Sequence, residues 1–399
     1  MSTVKLEKFV KAPIVEVYHY FTNSTALRDW ICDIATADPH PGGHLYLCWP
    51  GDFYSSGEYL QLEKDKLVSF TWFGQGEPHK TRVDVSLKKQ KDGTLIKLSH
   101  REIGTGQKWA EIAKVYEIQW RNALDNLASV LENGADLRII RRPMLGIILD
   151  DFNAEIAAKL GIPVDYGTRL SDVVDGMGAQ KAGLKKDDVL ITIDNHELTS
   201  GTTLASVMSS KRAGDVVELV FYRGPDKKYA KMTLSGRPIP PTPTSGLELS
   251  RQVEPIYQQF EQEIEEILKP ASESACSHKP TPLEWSANEV LAHLIHSELG
   301  WQNAASEIIA GVEAAYDDYG GNIQARIDGT VTIYPTKDEL LKELKSHDAE
   351  TLSMIAHLPD EFLSHKGRFW KLNYQAHQNI YHQQLHLEQM RSAIRSAKI

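Results

Sequence analysis

Cysteine is scarce: three in 399 residues, Cys32, Cys48 and Cys276, in no paired pattern. That excludes a disulfide framework and points to a reducing compartment. The segment CSH at Cys276–His278 has no second ligand pair nearby, which argues against a structural zinc site there. Long apolar runs are missing too, and none approaches the ~18–20 residues of a membrane span. The opening MSTVKLEKFVKAP alternates and carries charge, without the apolar stretch of a secretory leader. Basic residues are outnumbered, 44 Lys and Arg against 54 Asp and Glu, for a formal charge of -10. Such a balance argues against a broad nucleic-acid surface and against attraction to anionic membranes. The expected location is the cytoplasm.

What remains is ordinary for a soluble globular protein: 41% hydrophobic and 25% charged residues. The length calls for two or three domains. In the first segment VKLEKFV alternates as a strand, and APIVEVYHYFTNSTALRDWI reads as one or two short helices. GGHLYLCWP, SSGEYLQLE, KLVSFTWF, TRVDVSLKKQ and GTLIKLSH follow as strands split by Gly, Pro and Asp-Gly, an antiparallel meander. Trp109, Ile112, Tyr116, Trp120, Leu124, Leu127 and Leu131 then recur every three or four positions. They predict one long amphipathic helix, stopped at Asn133-Gly134.

This order, with VYHYFTNSTALRDWI, PGGHLYL, GEYLQLEKDKLVSFTW and WRNALDNLASVLENG, resembles the helix-grip SRPBCC superfamily, in the branch of activator of heat-shock-protein ATPase homologues. The resemblance implies a curved sheet around one long helix and a cavity for a hydrophobic small molecule. Trp30, Trp72 and Trp120, with Trp49 and Trp109, are candidates to line that cavity or to fill the core.

A second segment contains AQKAGLKKDDVLITIDN, which resembles PDZ domains of HtrA-type proteases. Asp187 and Asn195 stand where that pattern has glycine, and asparagine tolerates left-handed backbone angles. The resemblance implies a loop, Leu145-Gly146-Ile147, that offers N–H groups to the C-terminal carboxylate of a peptide, followed by a strand that pairs with it. TTLASVMSS would flank the groove, with Leu204, Val207 and Met208 as apolar walls. No nucleophile motif follows, so the likeness does not extend to a protease.

GRPIPPTPTSG is a proline-rich linker and the clearest boundary in the chain. Beyond it the sequence is helical. Leu249, Val253, Ile256, Phe260, Ile264 and Ile267 mark one helix, and the capping boxes Ser286-x-x-Glu289 and Thr336-x-x-Glu339 open two more. A fourth runs from about Trp370 to Ala397. A long loop separates the second and third, and the whole predicts a four-helix bundle.

His382 and His386 are four apart on the last helix and share a face. His293 lies among Val290, Leu291 and Leu294 on the second. Spacing alone leaves two readings open, a metal site or polar residues on helix surfaces. WSANEVLAHLIHSE and YHQQLHLEQM resemble the DinB superfamily, whose metal triad then falls on His293, His382 and His386. The resemblance implies a divalent transition metal (Zn, Ni, Fe or Mn) with open coordination positions, and metal-assisted transfer or hydrolysis, thiol-dependent in some members.

The expectation is a bacterial, multidomain α+β protein. A helix-grip SRPBCC domain (residues 1–136) precedes a PDZ β-sandwich or barrel with helices (141–237) and a DinB-type four-helix bundle (247–399). Its partners would be a protein C-terminus at the PDZ groove and a hydrophobic small molecule in the helix-grip cavity. The alternative is a non-catalytic adaptor or chaperone-associated stress protein with the same two partners.

Overall fold

A computed structural model describes residues 2–49, 53–150, 152–199, 203–208, 211–282, 284–312, 323–384 and 386–397. The chain divides into two compact units. One joins Met1–Asp136 with Pro240–Ile399, and the other is Leu137–Ile239. Among the described residues, no helix is long and apolar enough to cross a membrane.

In the first unit, strands β1 (Ser2–Val10), β2 (Ile34–Ala37), β3 (His44–Cys48), β4 (Tyr54–Glu63), β5 (Leu67–Gly74), β6 (Thr81–Gln90) and β7 (Gly93–Ile103) form one antiparallel sheet in the order β1-β7-β6-β5-β4-β3-β2. Helices α1 (Ile14–His19) and α2 (Ser24–Trp30) precede the meander, and α3 (Gln107–Asn133) is the predicted long helix. Alternation places Val83, Val85, Ile96 and Leu98 on one buried face, where they meet Trp120, Leu124 and Leu127 of α3. Asn23 caps α2 by accepting from the Ala26 N–H.

The second unit contains α4 (Leu137–Ile140), β8 (Ile147–Asp150), α5 (Ala154–Leu160), β9 (Thr168–Val173), α6 (Gly178–Lys181), β10 (Val189–Ile193), β11 (His196–Glu197), α7 (Leu204–Met208), β12 (Val216–Arg223) and β13 (Asp226–Thr233). Its sheet runs β13-β12-β10-β9-β8, with β11 paired to β10, so β8 is an edge. Asp187 and Asn195 both take positive φ, 66° and 64°, at the two places where the PDZ pattern has glycine. Asp187 is held by Arg169. The fully buried Asp188 receives a two-pronged bond from Arg223 at 2.7 and 2.8 Å.

The bundle consists of α8 (Gly246–Leu268), α9 (Glu273–Ser277), α10 (Ala287–Ala310), α11 (Ile323–Ile333), α12 (Lys337–Ala356), α13 (Asp360–Leu363), α14 (Lys366–Gln384) and α15 (His386–Ser396). Both predicted capping boxes form, at Ser286/Glu289 and at Thr336/Glu339. The expected long loop between the second and third main helices instead contains α11. The expected fourth helix begins earlier, at Lys366, and is described on either side of Leu385.

The bundle docks on the helix-grip sheet-and-helix layer through the C-terminus of α3. Gly134 ends α3 at φ +78°. The Lys366 ammonium donates to the carbonyls of Leu131 and Glu132 at 3.3 and 3.1 Å. A cation there completes orphaned carbonyls and opposes the negative end of the helix dipole. Thr25 adds a bond to the Gly311 carbonyl at 2.7 Å. A Cβ on Gly134 would lie 2.4 Å from the Lys366 carbonyl oxygen. Gly134→Ala therefore combines left-handed strain of about 1–2 kcal/mol with a backbone clash. Urea denaturation should show a loss of at least that size.

Candidate metal centre

The apolar stripe of α10 (Val290, Leu291, Leu294, Ile295) faces the bundle core and carries His293 at its edge, half-buried. His382 near the end of α14 is exposed, and His386 at the start of α15 is half-buried. One ligand atom from each of the three rings lies within 4.8 Å of the other two. Ring centroids are 4.6 Å apart for His293–His386, 5.0 Å for His382–His386 and 6.0 Å for His293–His382.

The donor chemistry fits a cation. Nε2 of His293 and Nε2 of His386 are both buried without a hydrogen-bond partner. Burial first, then the neighbouring rings of His386 and His382, push His293 down to about 4. Burial and His386 lower His382 as well. Neutral imidazoles present lone pairs, which is the form a metal binds. The Nδ1 of His386 meets Gln389 Oε1 at 2.9 Å, which orients the ring and leaves Nε2 as its free ligand atom among the described residues. Trp285 lies against His293 with ring centroids 4.9 Å apart.

The other histidines of these helices have different partners. His296 Nε2 bonds Thr330 Oγ1 at 2.8 Å and the Arg326 carbonyl at 3.1 Å. His377 Nδ1 bonds the Asn373 carbonyl at 2.9 Å. Glu289 closes its capping box through the Ser286 N–H and pairs with Lys279 at 2.7 Å.

Leu145, Gly146 and Ile147 lead into the edge strand β8, with Gly146 at φ +76°. Ile147, Leu204, Val207 and Met208 pack into the same apolar cluster as Leu145. In TTLASVMSS, Thr202, Ser209 and Ser210 lie outside the described residues. Ile148 and Leu149 on β8 are exposed. The Leu145-Gly146-Ile147 loop thus leads into an edge strand, and Leu204, Val207 and Met208 belong to the core cluster of the same unit. In the helix-grip domain Trp30 and Trp120 line a void of about 10 Å³, room for roughly one water. Trp72 packs instead on Trp49, Tyr116 and Trp120. A hydrophobic ligand needs these rings to move.

Comparison with known proteins follows the same order of modules. The family description "Activator of Hsp90 ATPase homolog 1-like protein" matches residues 11–132, "PDZ domain" matches 143–234, and "DinB superfamily" matches 256–390. The chain matches three families in series. Curated relatives include a probable periplasmic serine endoprotease DegP-like of Marinomonas sp., 28% identical over 102 residues, 26% of this chain and 22% of that protein. The periplasmic pH-dependent serine endoprotease DegQ of Escherichia coli is 30% identical over 99 residues, 25% and 22% of the two chains. This chain thus spans about a fifth of the length of those relatives. Similar solved structures include the protein MLL2253 of Mesorhizobium loti and the Aha1 dimer of Colwellia psychrerythraea. They are 18% and 16% identical, each with a TM-score of 0.31 and covering 33% of this chain and 97% of the other.

Two fully buried acids in the bundle, Glu298 and Asp348, lie outside the sequence expectations. A signal exists: both lie in phase with apolar stripes, Leu291-Leu294-Glu298 and Leu344-Asp348-Ile355. Asp348 sits against the carboxyl groups of Glu298 and Glu261. Burial, then the carboxylates of Glu298 and Glu261, push Asp348 up to about 9. With an unfolded value of about 3.9, Asp348 takes up a proton on folding. Its unfavourable effect is absent at low pH and grows as pH rises from the unfolded value toward the folded one. Asp348→Asn should flatten that decline, and denaturation midpoints measured from pH 5 to 9 would show it.

Proposed function

We propose that the bundle is a metal-dependent enzyme module, acting on a small molecule by transfer or hydrolysis, with His293, His382 and His386 as ligands. The supporting observation is that one ligand atom from each of the three rings lies within 4.8 Å of the other two, while Nε2 of His293 and of His386 is buried without a partner among the described residues. A divalent Zn, Ni, Fe or Mn bound there would act as a Lewis acid and lower the pKa of a thiol or water ligand. The chain's own part is positional. Gln389 fixes one ring, Trp285 covers another, and the exposed His382 leaves one side of the triad open to a substrate. Cytoplasmic placement belongs to this reading, and the low cysteine count of the sequence supports it.

In the same reading the PDZ unit recruits a protein C-terminus, and the helix-grip domain accepts a hydrophobic molecule when its aromatic core opens. A non-catalytic adaptor is the second reading, and the exposed Ile148 and Leu149 beside the Gly146 loop favour it.

Elemental analysis separates the two. The enzyme reading expects about one transition metal per chain, lost in a His382→Ala/His386→Ala protein. A metal-free wild type whose stability the double substitution leaves unchanged would favour the adaptor. At the PDZ groove, amidating a bound peptide's C-terminus should weaken it at least about tenfold, or 1.4 kcal/mol. Equal affinity for acid and amide would remove the carboxylate-loop assignment.

A further inference from the structure

We infer that Glu298 is a positioning residue for the histidine triad: its buried carboxylate fixes the rotation of α14 against α10 and so sets His382 opposite His293. This rests on the metal reading above. Glu298 is fully buried where four helices meet. Its Oε1 accepts from Tyr257 OH of α8 at 3.0 Å and from Thr351 Oγ1 of α12. Its Oε2 accepts from Asn379 Nδ2 at 2.8 Å and Gln383 Nε2 at 2.6 Å, both on α14.

Asn379 and Gln383 bracket His382 in sequence, and His293 precedes Glu298 on α10. The carboxylate and the triad are therefore joined through the same two helices. Sliding α14 by one residue turns it by about 100° and moves it about 1.5 Å. That would carry His382 off the α10 face. Apolar packing is non-directional and tolerates such a shift better than a pair of N–H bonds to one charged oxygen.

Among the described residues Glu298 has four donors and no ion-pair partner. A buried carboxylate held this way costs more than a well-packed leucine would. What it adds is direction. Asp348 beside it takes none of the four donors, which all go to Glu298.

The test uses the full chain, cobalt(II) as probe and Glu298→Gln. The amide nitrogen then faces donors instead of accepting them. Cobalt affinity should fall about tenfold or more, as for other groups that orient metal ligands, and the visible cobalt spectrum should change. Thr336→Ala removes the capping box of α12, apart from the Glu298 bonds. It should lower the melting temperature without altering that spectrum, which separates positioning from general support. If Glu298→Gln does not fold, Asn379→Ala removes one α14 donor and should move the spectrum in the same direction. Wild-type cobalt affinity and spectrum in folded Glu298→Gln, or in Asn379→Ala in its place, overturns the inference. Should the wild type bind no cobalt, the metal reading fails separately. Imidazole NMR signals of His382 and His386 in the metal-free protein then decide: a shift in Glu298→Gln supports the role of Glu298, and unchanged signals refute it.

Discussion

Burying a polar group obliges the fold to supply a partner, and in this bundle that obligation fixes where helices can sit. Glu298 meets it with donors from α8, α12 and α14 at once. The apolar stripes around it supply most of the burial, but oil-like contacts alone leave helix rotation loosely set. A single carboxylate with four directional bonds narrows that freedom. The Nε2 atoms of His293 and His386 are the counterpart, buried polar atoms whose obligation the protein itself leaves unmet. The bundle thus contains one polar centre that is closed by its own side chains and another whose buried nitrogens have no partner among the described residues.

Much of this was legible in the sequence. Strands β1 and β3 to β7 follow from alternation and punctuation, and α3 from a strict three-and-four spacing ended by Asn133-Gly134. β2 escaped because it is a four-residue edge strand, Ile34–Ala37, with one fully buried side chain. α11 escaped because only Ile327 among its eleven residues is buried, so it has little periodicity to read. The left-handed turns at Asp187 and Asn195 survive loss of glycine as side-chain chemistry predicts for asparagine, while Asp187 has the help of Arg169.

The histidines were legible as an i,i+4 pair plus one ring in an apolar run. The clasp at Glu298 was not, because its donors lie 41, 53, 81 and 85 positions away in sequence. No local pattern encodes such pairings. Only the misfit of an acid on an apolar stripe hints that something must meet it. The tryptophans show the opposite limit. Sequence suggested either cavity lining or core, and the fold buries all three, Trp72 against Trp120 and Trp30 against Phe21.

Docking of Lys366 onto the end of α3 also bears on biosynthesis. The two contacting segments are separated by an entire intervening module, so the ribosome makes Lys366 roughly 230 residues after Gly134, a delay of about 10–50 s at roughly 5–20 residues per second. Throughout that interval the nascent helix-grip fold has uncapped carbonyls at the end of its longest helix. Translation speed across the inserted module therefore sets how long that terminus is available to chaperones, or to the same terminus on a neighbouring polysome chain.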